Sequence, residues 1–479
     1  MELKKILENG QTIYFIGIKG TGMCAFAELM SAGGGKVLGS DRAEVFYTDR
    51  ILDDLGIHYY QSFDADHIKD DFALVIHSAA YDAETNPEIA EALRRGLPVL
   101  KYTDALGLYS ELFDSSGIAG VHGKTTTTAM AGALARGASL PAQVLAGSAV
   151  GSFGGRSTLS LGNTYFIAET CEYRRHFLSF RPRRIVLTSV ESDHQDYYPG
   201  YESIRGAFLE YCRLLPSGGE LIYCADDPGA AEIVSVLEKE WRPLTLTPYG
   251  FNAAGEFRIT NYAVKNERAE MTIEGFPGTI TLRIPGRHMA ADAAGALALA
   301  SSLVKAEYGG WSGPGREGAR KALEEFRGSK RREEIIGEAG GILFMDDYGH
   351  HPTAIAATLE GLREFYPDRR IVVSFMSHTY SRTAALLDDF AASFKNADAV
   401  FLHKIYASAR EQYSGGVDGR MLYEKTAALR DGVSYTEEPL DAASALKAML
   451  KEGDLFITMG AGNNWVLAEE LYGYFREKK

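Results

Sequence analysis

The stretch that decides the fold is GIAGVHGKTTTT, residues 117–128. Residues 117–121 predict a buried β-strand, and the Thr/Ala-rich run after Lys124 predicts a helix. Glycines in such a turn let backbone N–H groups point at phosphates, a lysine neutralises the β/γ charge and a threonine hydroxyl binds Mg²⁺. Ile118 stands where the strict motif needs glycine, but the shorter GxxGKT form is intact.

This stretch therefore predicts an ATP-binding loop rather than a chance glycine-rich turn. Threonine hydroxyls at the start of the helix add donors where the helix dipole already attracts anions. The predicted ATP contacts are Gly120, His122, Gly123, Lys124, Thr125 and Thr126.

Strands and helices alternate on both sides of the loop. The predicted strands are 12–18, 36–39, 72–78, 165–168, 184–189, 219–224, 342–345, 370–375, 399–402 and 455–459. The predicted helices include 23–31, 286–306 and one starting at residue 353, and residues 309–315 are predicted to form a loop. This rhythm predicts an α/β fold of three domains, each built on a mostly parallel sheet: Rossmann-like, P-loop and Rossmann-like. The predicted boundaries are 1–108, 109–329 and 330–479.

Composition excludes several classes of protein. The net charge of −14 and the absence of a long Lys/Arg run argue against a nucleic-acid partner. The four cysteines form no CxxC pair, so the sequence predicts neither a zinc cluster nor a disulfide scaffold. No uninterrupted apolar run approaches the roughly 18 residues of a membrane span. We expect a cytoplasmic protein that acts on small molecules, as a monomer or homodimer.

A second glycine-rich loop, Gly17-Ile18-Lys19-Gly20-Thr21-Gly22, follows the first strand. The dinucleotide fingerprint GxGxxG needs glycine at position 19, where Lys19 stands. Asp41, after the second strand, suits a ribose contact. The loop is therefore either a diphosphate site without redox chemistry or only a tight strand–helix turn.

Acidic and imidazole groups follow later strands, at the edge where ligands bind in doubly wound sheets. Glu169 and Glu172 follow one strand, and Asp193, His194 and Asp196 follow another. These side chains are candidates to hold Mg²⁺ or a second metal ion, although a lone histidine is more often structural.

The third domain carries two polar segments after neighbouring strands. Residues 346–352 read DDYGHHP and residues 377–382 read SHTYSR. The adjacency of two Asp and two His does not place them on one face, so substrate or nucleotide contacts are favoured over a metal site. An arginine at position 382 can clamp a carboxylate through two hydrogen bonds.

These motifs, in this order, resemble the Mur ligase family, which builds the peptide of bacterial cell-wall precursors. The resemblance spans nearly the whole chain. It implies an ATP- and Mg²⁺-dependent ligase that joins L-alanine to the carboxylate of UDP-N-acetylmuramate through an acyl phosphate. The implied catalytic residues are Lys124, His194, His350 and Arg382.

The resemblance also implies a set of binding residues. The implied UDP-sugar contacts are Gly17, Gly20, Thr21, Gly22, Ser40 and Asp41, and the implied metal ligands are Thr125, Glu169 and His194. Further ATP contacts are Asp292, Arg332 and Asp347, and the amino-acid contacts are Tyr348, His350, His378 and Arg382. The chain departs from the family at Lys19, usually glycine; at Ser189, usually asparagine; and at Met289 and Asp292, both usually asparagine.

Two alternatives remain open on the sequence. One is a related ligase that attaches a tripeptide, against which the segments 346–352 and 377–382 argue. The other is a nucleotide-binding regulator that no longer ligates, which the altered positions 189, 289 and 292 favour and the intact loop at Lys124 opposes.

Overall fold

The computed structural model describes residues 2–407, 411, 413 and 415–478. The chain folds into two compact units. The first comprises Met1–Val190, Gly206–Pro248 and Gly295–Ala322, and the second comprises Glu191–Arg205, Tyr249–Ala294 and Leu323–Lys479.

The strands are β1 Thr12–Ile16, β2 Lys36–Ser40, β3 Tyr59–Tyr60, β4 Phe72–His77, β5 Val99–Lys101, β6 Asp114–Ala119, β7 Ala142–Val150, β8 Arg156–Ser160, β9 Tyr165–Glu169, β10 Arg184–Leu187, β11 Glu220–Cys224, β12 Thr245–Gly250, β13 Phe257–Val264, β14 Ala269–Ile273, β15 Phe276–Leu282, β16 Glu334–Ala339, β17 Ile342–Asp347, β18 Arg370–Met376, β19 Ala399–Leu402, β20 Val433–Tyr435 and β21 Asp454–Gly460.

The α-helices are α1 Leu3–Glu8, α2 Thr21–Ala32, α3 Tyr47–Asp54, α4 Pro87–Arg94, α5 Tyr102–Ser110, α6 Lys124–Gly137, α7 Tyr201–Cys212, α8 Pro228–Lys239, α9 Arg287–Tyr308, α10 Gly313–Glu325, α11 Pro352–Phe365, α12 Tyr380–Ala385, α13 Leu387–Ala392, α14 Gly419–Leu429, α15 Ala443–Met449 and α16 Trp465–Glu477.

The first unit contains two sheets built largely of parallel strands. The first sheet has the order β3-β2-β1-β4-β5, and β1 pairs in parallel with both β2 and β4. Strands covered by helices on both faces are expected to be apolar throughout, and β1 is buried along residues 13–16. Strands β2 and β3 lie on one side of β1, and β4 and β5 lie on the other. This makes β1 a topological switch point, and ligands bind beyond the carboxyl ends of the strands at such a point.

In the second sheet, β6 lies between β10 and β9, with β7 and β8 beyond β9 and β11 beyond β10. The pairs β6–β9, β6–β10, β7–β9 and β10–β11 are parallel, and β7–β8 is antiparallel. The carboxyl ends of β6, β9 and β10 therefore meet at one edge. The predicted ATP loop, residues 120–123, follows β6 at that edge.

The second unit contains an antiparallel ribbon, β13-β14-β15, and a six-stranded sheet of order β16-β17-β21-β18-β19-β20. Strand β16 is antiparallel to β17, and the other pairs are parallel. Phe344, Val372 and Phe456 belong to its core, against which α15 and α16 pack. The α/β class with three sheet-based, mostly parallel domains is confirmed; the ribbon was not predicted.

The sequence-based loop at residues 309–315 is partly wrong, because α10 begins at Gly313. The hydroxyl of Ser312 accepts a hydrogen bond from the Gly315 N–H at 3.1 Å and so caps the helix. Pro314 is compatible with a first helical turn because that turn needs no proline N–H.

Helix α9 is long and apolar enough to cross a membrane by length and composition, with a mean hydropathy of 1.2 in its best window. In the folded chain 72% of that window is buried. A core helix of a globular domain meets the same criterion.

A buried histidine gives the second unit a predicted acid sensitivity. His403, 1% exposed at the end of β19, lies 2.8 Å from the Ser374 hydroxyl and 3.0 Å from the Thr436 hydroxyl. Burial lowers its pKa from 6.5 to about 4. The unfolded chain therefore binds the extra proton first, so stability is full above pH 6.5 and is lost as the pH falls towards 4.

We expect the lowered pKa of His403 to reduce the free energy of unfolding by about 2 kcal/mol when the pH falls from 7 to 5. Thermal unfolding of the wild type and of His403→Gln, measured at both pH values, checks it. The variant should start less stable at pH 7 but lose less on acidification; parallel losses in the two proteins would contradict the assignment.

Candidate functional site

The ATP loop of the first unit is held open by backbone conformation and by the strand beside it. Gly120 and Gly123 have φ of +151° and +77°, which side chains disfavour. A Cβ on Gly120 would lie 1.9 Å from the Thr188 hydroxyl. That hydroxyl donates to the His122 carbonyl at 2.5 Å, and the His122 N–H donates to the Ser189 hydroxyl at 2.8 Å. Ser189, the departure from the family's asparagine, thus fixes the loop.

Lys124 opens α6 and lies over this loop. Its ammonium donates to the Gly120 carbonyl at 2.5 Å and the Val121 carbonyl at 3.2 Å, and it pairs with Glu172 at 2.9 Å. Burial alone would lower the pKa of Lys124, but the Glu172 and Glu169 carboxylates and the Cys171 sulfur outweigh it and raise the pKa. The lysine is therefore a permanent cation at the loop. The next helical residues, Thr125 and Thr126, are buried.

Glu169 ends β9 at the same edge of the sheet. Its Oε2 accepts a hydrogen bond from the Gly147 N–H at 2.7 Å. A neutral N–H donor orients this carboxylate without neutralising it, so Glu169 suits a hard cation such as Mg²⁺, which prefers oxygen ligands.

A cavity of about 160 Å³ lies next to Glu169 within the first unit. Gly22, from the first sheet's loop, lines it together with Tyr102, Gly147, Glu169 and Cys171. Its lining therefore connects the loop after β1 to the edge that carries the ATP loop.

The loop after β1 contains four of the residues predicted to contact the UDP-sugar. Gly17 has φ +82°, and a Cβ there would lie 2.9 Å from the Tyr81 ring. Gly20 is the N-cap of α2, and Thr21 accepts a hydrogen bond from the Tyr47 hydroxyl at 2.9 Å. The Asp41 carboxylate accepts the N–H groups of Lys19 at 2.7 Å and Arg42 at 2.8 Å.

Ser40 is the last residue of β2. Its side chain is 0% exposed, and its hydroxyl donates to the Glu88 carboxylate at 2.5 Å. Glu88 also accepts the Tyr14 hydroxyl at 3.0 Å. The Ser40 side chain therefore belongs to a buried hydrogen-bond network, and its contact with the UDP-sugar stays a prediction.

In the second unit, Arg382 of α12 is bound to Asp193. The guanidinium is 2% exposed, and its Nε and Nη2 both lie 2.7 Å from Asp193 Oδ1. Its Nη1 donates to the His378 carbonyl at 3.1 Å. Burial would raise the pKa of Asp193, but Arg382 and the nearby His194 and His350 hold it well below its usual range. The carboxylate clamp by Arg382 stays a prediction, and the structure adds that this guanidinium is bound to Asp193.

His194 follows Asp193 directly and has a strained backbone conformation. Its φ is +55°, a conformation uncommon for residues other than glycine. Its N–H donates to Asp193 Oδ1 at 2.7 Å, and its Nε2 lies 3.8 Å from Asp193 Oδ2. Asp193 thus joins His194 to Arg382; this carboxylate was recognised in the sequence, but not its pairing.

His350 lies beside this ion pair. Its Nδ1 is 2.7 Å from the Tyr348 carbonyl, and its ring meets that of His378 edge-on with centroids 5.4 Å apart. Burial and the Arg382 guanidinium hold the pKa of His350 well below its usual range, so the ring is neutral at pH 7. The carbonyl accepts a hydrogen bond only from a protonated Nδ1, which leaves Nε2 with its lone pair.

The segment before β16 is tied to the end of β17. Asp347 accepts the N–H groups of Glu333 at 2.9 Å and Gly349 at 2.6 Å. Arg331 donates to Asp346 at 2.9 Å, and the Arg332 guanidinium lies 5.2 Å from the Tyr348 ring centroid. The predicted nucleotide contacts Arg332 and Asp347 therefore lie around one strand end.

Helix α9 brings a second predicted nucleotide segment to the same place in the second unit. His288 Nε2 lies 3.1 Å from Glu333 Oε1. Burial raises the pKa of Glu333 to about 7 despite this histidine. Asp292 follows one helical turn after His288 and is buried, and its carboxylate helps to raise the pKa of His288, as Asp347 does.

Comparisons with known proteins agree with this architecture. Residues 12–114 match "Mur ligase family, catalytic domain", residues 118–300 match "Mur ligase middle domain" and residues 331–462 match "Mur ligase, glutamate ligase domain". A UDP-N-acetylmuramate–L-alanine ligase of Treponema pallidum is 53% identical over 470 residues, covering 98% of each chain. The protein of that name in Borrelia garinii is 37% identical, over 98% of this chain and all of its own.

A solved structure has the same fold. The UDP-N-acetylmuramate-alanine ligase of Thermotoga maritima is 24% identical, with a TM-score of 0.78 over 98% of this chain and all of its own. With three successive domain matches and relatives this similar over nearly the full length, the chain belongs to the Mur ligase family.

Proposed function

We propose that this chain joins L-alanine to the carboxylate of UDP-N-acetylmuramate at the expense of ATP, forming ADP and phosphate, in the cytoplasm. The observation that carries the proposal is the cavity of the first unit. Its lining includes both Gly22, at the nucleotide-sugar loop, and Glu169, beside Lys124 and the ATP loop. A substrate with a diphosphate at one end and a carboxylate at the other matches that layout.

The chemistry explains why both loops are needed. A carboxylate and an amine do not form an amide in water, because the oxygen is a poor leaving group. Attack of the lactyl carboxylate on the γ-phosphorus breaks the bond to ADP and makes an acyl phosphate. The alanine amine then attacks the carbonyl carbon, and inorganic phosphate leaves with an oxygen from the carboxylate. Most of the catalysis is placement and charge stabilisation.

The loop residues supply that charge stabilisation. The N–H groups from Gly120 to Thr126 cradle the β- and γ-phosphates, and Lys124 exchanges its loop carbonyls for phosphate oxygens. Thr125 and Glu169 are the proposed ligands of one Mg²⁺, and His194 is the proposed ligand of a second. Bound Mg²⁺ would neutralise the negative charge that builds up on the transferred phosphoryl group.

The cluster in the second unit forms the proposed amino-acid site, with Tyr348, His350, His378 and Arg382. Neutral His350 offers an Nε2 lone pair to the ammonium or amine of alanine. Arg382, held in place by Asp193, is the proposed hydrogen-bond donor to the alanine carboxylate. Arg332, Asp347 and Asp292 are the proposed nucleotide contacts in this unit.

We also infer three domains with boundaries at 1–108, 109–329 and 330–479. The five-stranded sheet ends at Lys101, before the first boundary, and the third sheet begins at Glu334, after the second. The three family matches fall in the same order.

The proposal is tested by phosphate release from ATP in the presence of UDP-N-acetylmuramate and one amino acceptor at a time. We expect release with L-alanine and little with a cell-wall tripeptide. Faster release with the tripeptide would assign the chain to the tripeptide-adding ligases instead. ATP binding without acceptor-dependent release would indicate a regulator.

A further inference from the structure

Lys19 is a buried lysine at the position where the dinucleotide fingerprint has glycine. It is 2% exposed. Its ammonium donates to the carbonyls of Arg42 and Glu44, each at 2.9 Å, and pairs with Asp49 at 3.3 Å. An ammonium has three N–H donors, so these three acceptors use all of them.

The backbone of Lys19 makes two more bonds to the same segment. Its N–H donates to Asp41 at 2.7 Å, and its carbonyl accepts the Thr48 hydroxyl at 2.6 Å. The rings of Tyr59 and Phe46 also face the ammonium, with centroids 5.1 and 5.9 Å away. One residue therefore fastens the loop after β1 to segment 41–49, which comprises the connection from β2 to α3 and the first residues of α3.

Most of this segment lies at the protein surface. Val45, Phe46 and Tyr47 are exposed side chains, and the carbonyls of residues 42 and 44 point inward at the lysine. Removing the ammonium would leave those two carbonyls without this donor and would take from Asp49 its paired cation, which is costly enough to move a surface loop.

We propose that Lys19 is a positioning residue for a nucleoside diphosphate sugar: it pre-orders segment 41–49 beside the diphosphate loop and does not itself bind phosphate. This inference rests on the proposed function. Ordering the segment before binding removes an entropy cost from substrate association. Lys19 should therefore govern affinity for the UDP-sugar and not the chemical step.

The test compares Lys19→Met with Lys36→Met, an exposed lysine at the start of β2. For Lys19→Met we expect KM for UDP-N-acetylmuramate to rise about tenfold, because the segment would then have to be ordered when the substrate binds. Both kcat and KM for ATP should stay within about twofold of wild type. Amide hydrogen exchange in 42–49 should speed up in the unliganded protein. Lys36→Met should match wild type throughout.

Asp49→Asn serves as a second variant if Lys19→Met folds poorly, since it weakens the same contact while keeping the side-chain shape. It should shift KM in the same direction, by less. An unchanged KM for the UDP-sugar in folded Lys19→Met and Asp49→Asn, or an equal fall in kcat, would overturn the inference. If the wild type does not turn over UDP-N-acetylmuramate, the proposed function fails, and the exchange comparison, which needs no substrate, still judges the contact.

Discussion

Replacing Lys124 with alanine is expected to lower kcat by about a thousandfold, the scale seen when one preorganised charge at a transition state is removed. The ammonium lies over the carbonyls of Gly120 and Val121, at the mouth of the loop that would hold the triphosphate. The methyl side chain of the variant carries no charge that could stabilise the phosphoryl group during its transfer. The measurement is the steady-state rate of alanine-dependent phosphate release.

The control for Lys124→Ala must separate chemistry from folding, because the variant also removes the ion pair between Lys124 and Glu172. The double variant Lys124→Ala/Glu172→Gln removes both charges of that ion pair and should recover thermal stability without recovering activity. Lys101→Ala, an exposed lysine in the same unit, should behave as wild type. Product formation by Lys124→Ala at the wild-type rate would refute the assigned role.

Replacing Arg382 with methionine is expected to abolish alanine-dependent turnover and to destabilise the protein by about 3–5 kcal/mol. That cost is typical when one partner of a buried ion pair is removed and the other charge stays buried. Here the remaining charge is the Asp193 carboxylate, which has lost the Arg382 guanidinium. Thermal unfolding and turnover over a range of alanine concentrations measure the two effects.

The two effects separate in the double variant Arg382→Met/Asp193→Leu, in which an apolar pair fills the same space. Such replacements are often neutral for stability, so the melting temperature should recover while alanine turnover stays absent. Arg258→Met, which breaks the exposed pair with Glu274 at 2.8 Å, should cost less than about 1 kcal/mol. Recovery of activity in the double variant would make Arg382 a purely structural residue.

Local sequence patterns predicted the parts of the fold that local physics decides. The apolar runs before Gly17, Gly120 and Asp346 became parallel strands, and the polar residues after them reached the carboxyl edges of the sheets. Ribbon β13–β15 was missed although its buried residues alternate along β14, with Ala269, Met271 and Ile273 inward. That alternation, with period two, was available in the sequence.

Pairings between distant residues were not predictable in the same way. Arg382 and Asp193 lie 189 positions apart, and Lys124 and Glu172 lie 48 apart. A motif indicates which groups are present but not which partner each one takes once the chain is folded. Ser40 and Lys19 show the same limit. The Ser40 hydroxyl is bound to Glu88 and the Lys19 ammonium to segment 41–49, and the motifs predict neither contact.

The central claim is that the substrate carboxylate is activated by phosphorylation, and oxygen transfer tests it most directly. UDP-N-acetylmuramate carrying ¹⁸O in both lactyl carboxylate oxygens is incubated with ATP, L-alanine and the enzyme, and the released phosphate is analysed by mass spectrometry. The account predicts one ¹⁸O atom in each phosphate and one retained in the amide product. Phosphate released without ¹⁸O while the amide forms would contradict an acyl phosphate intermediate.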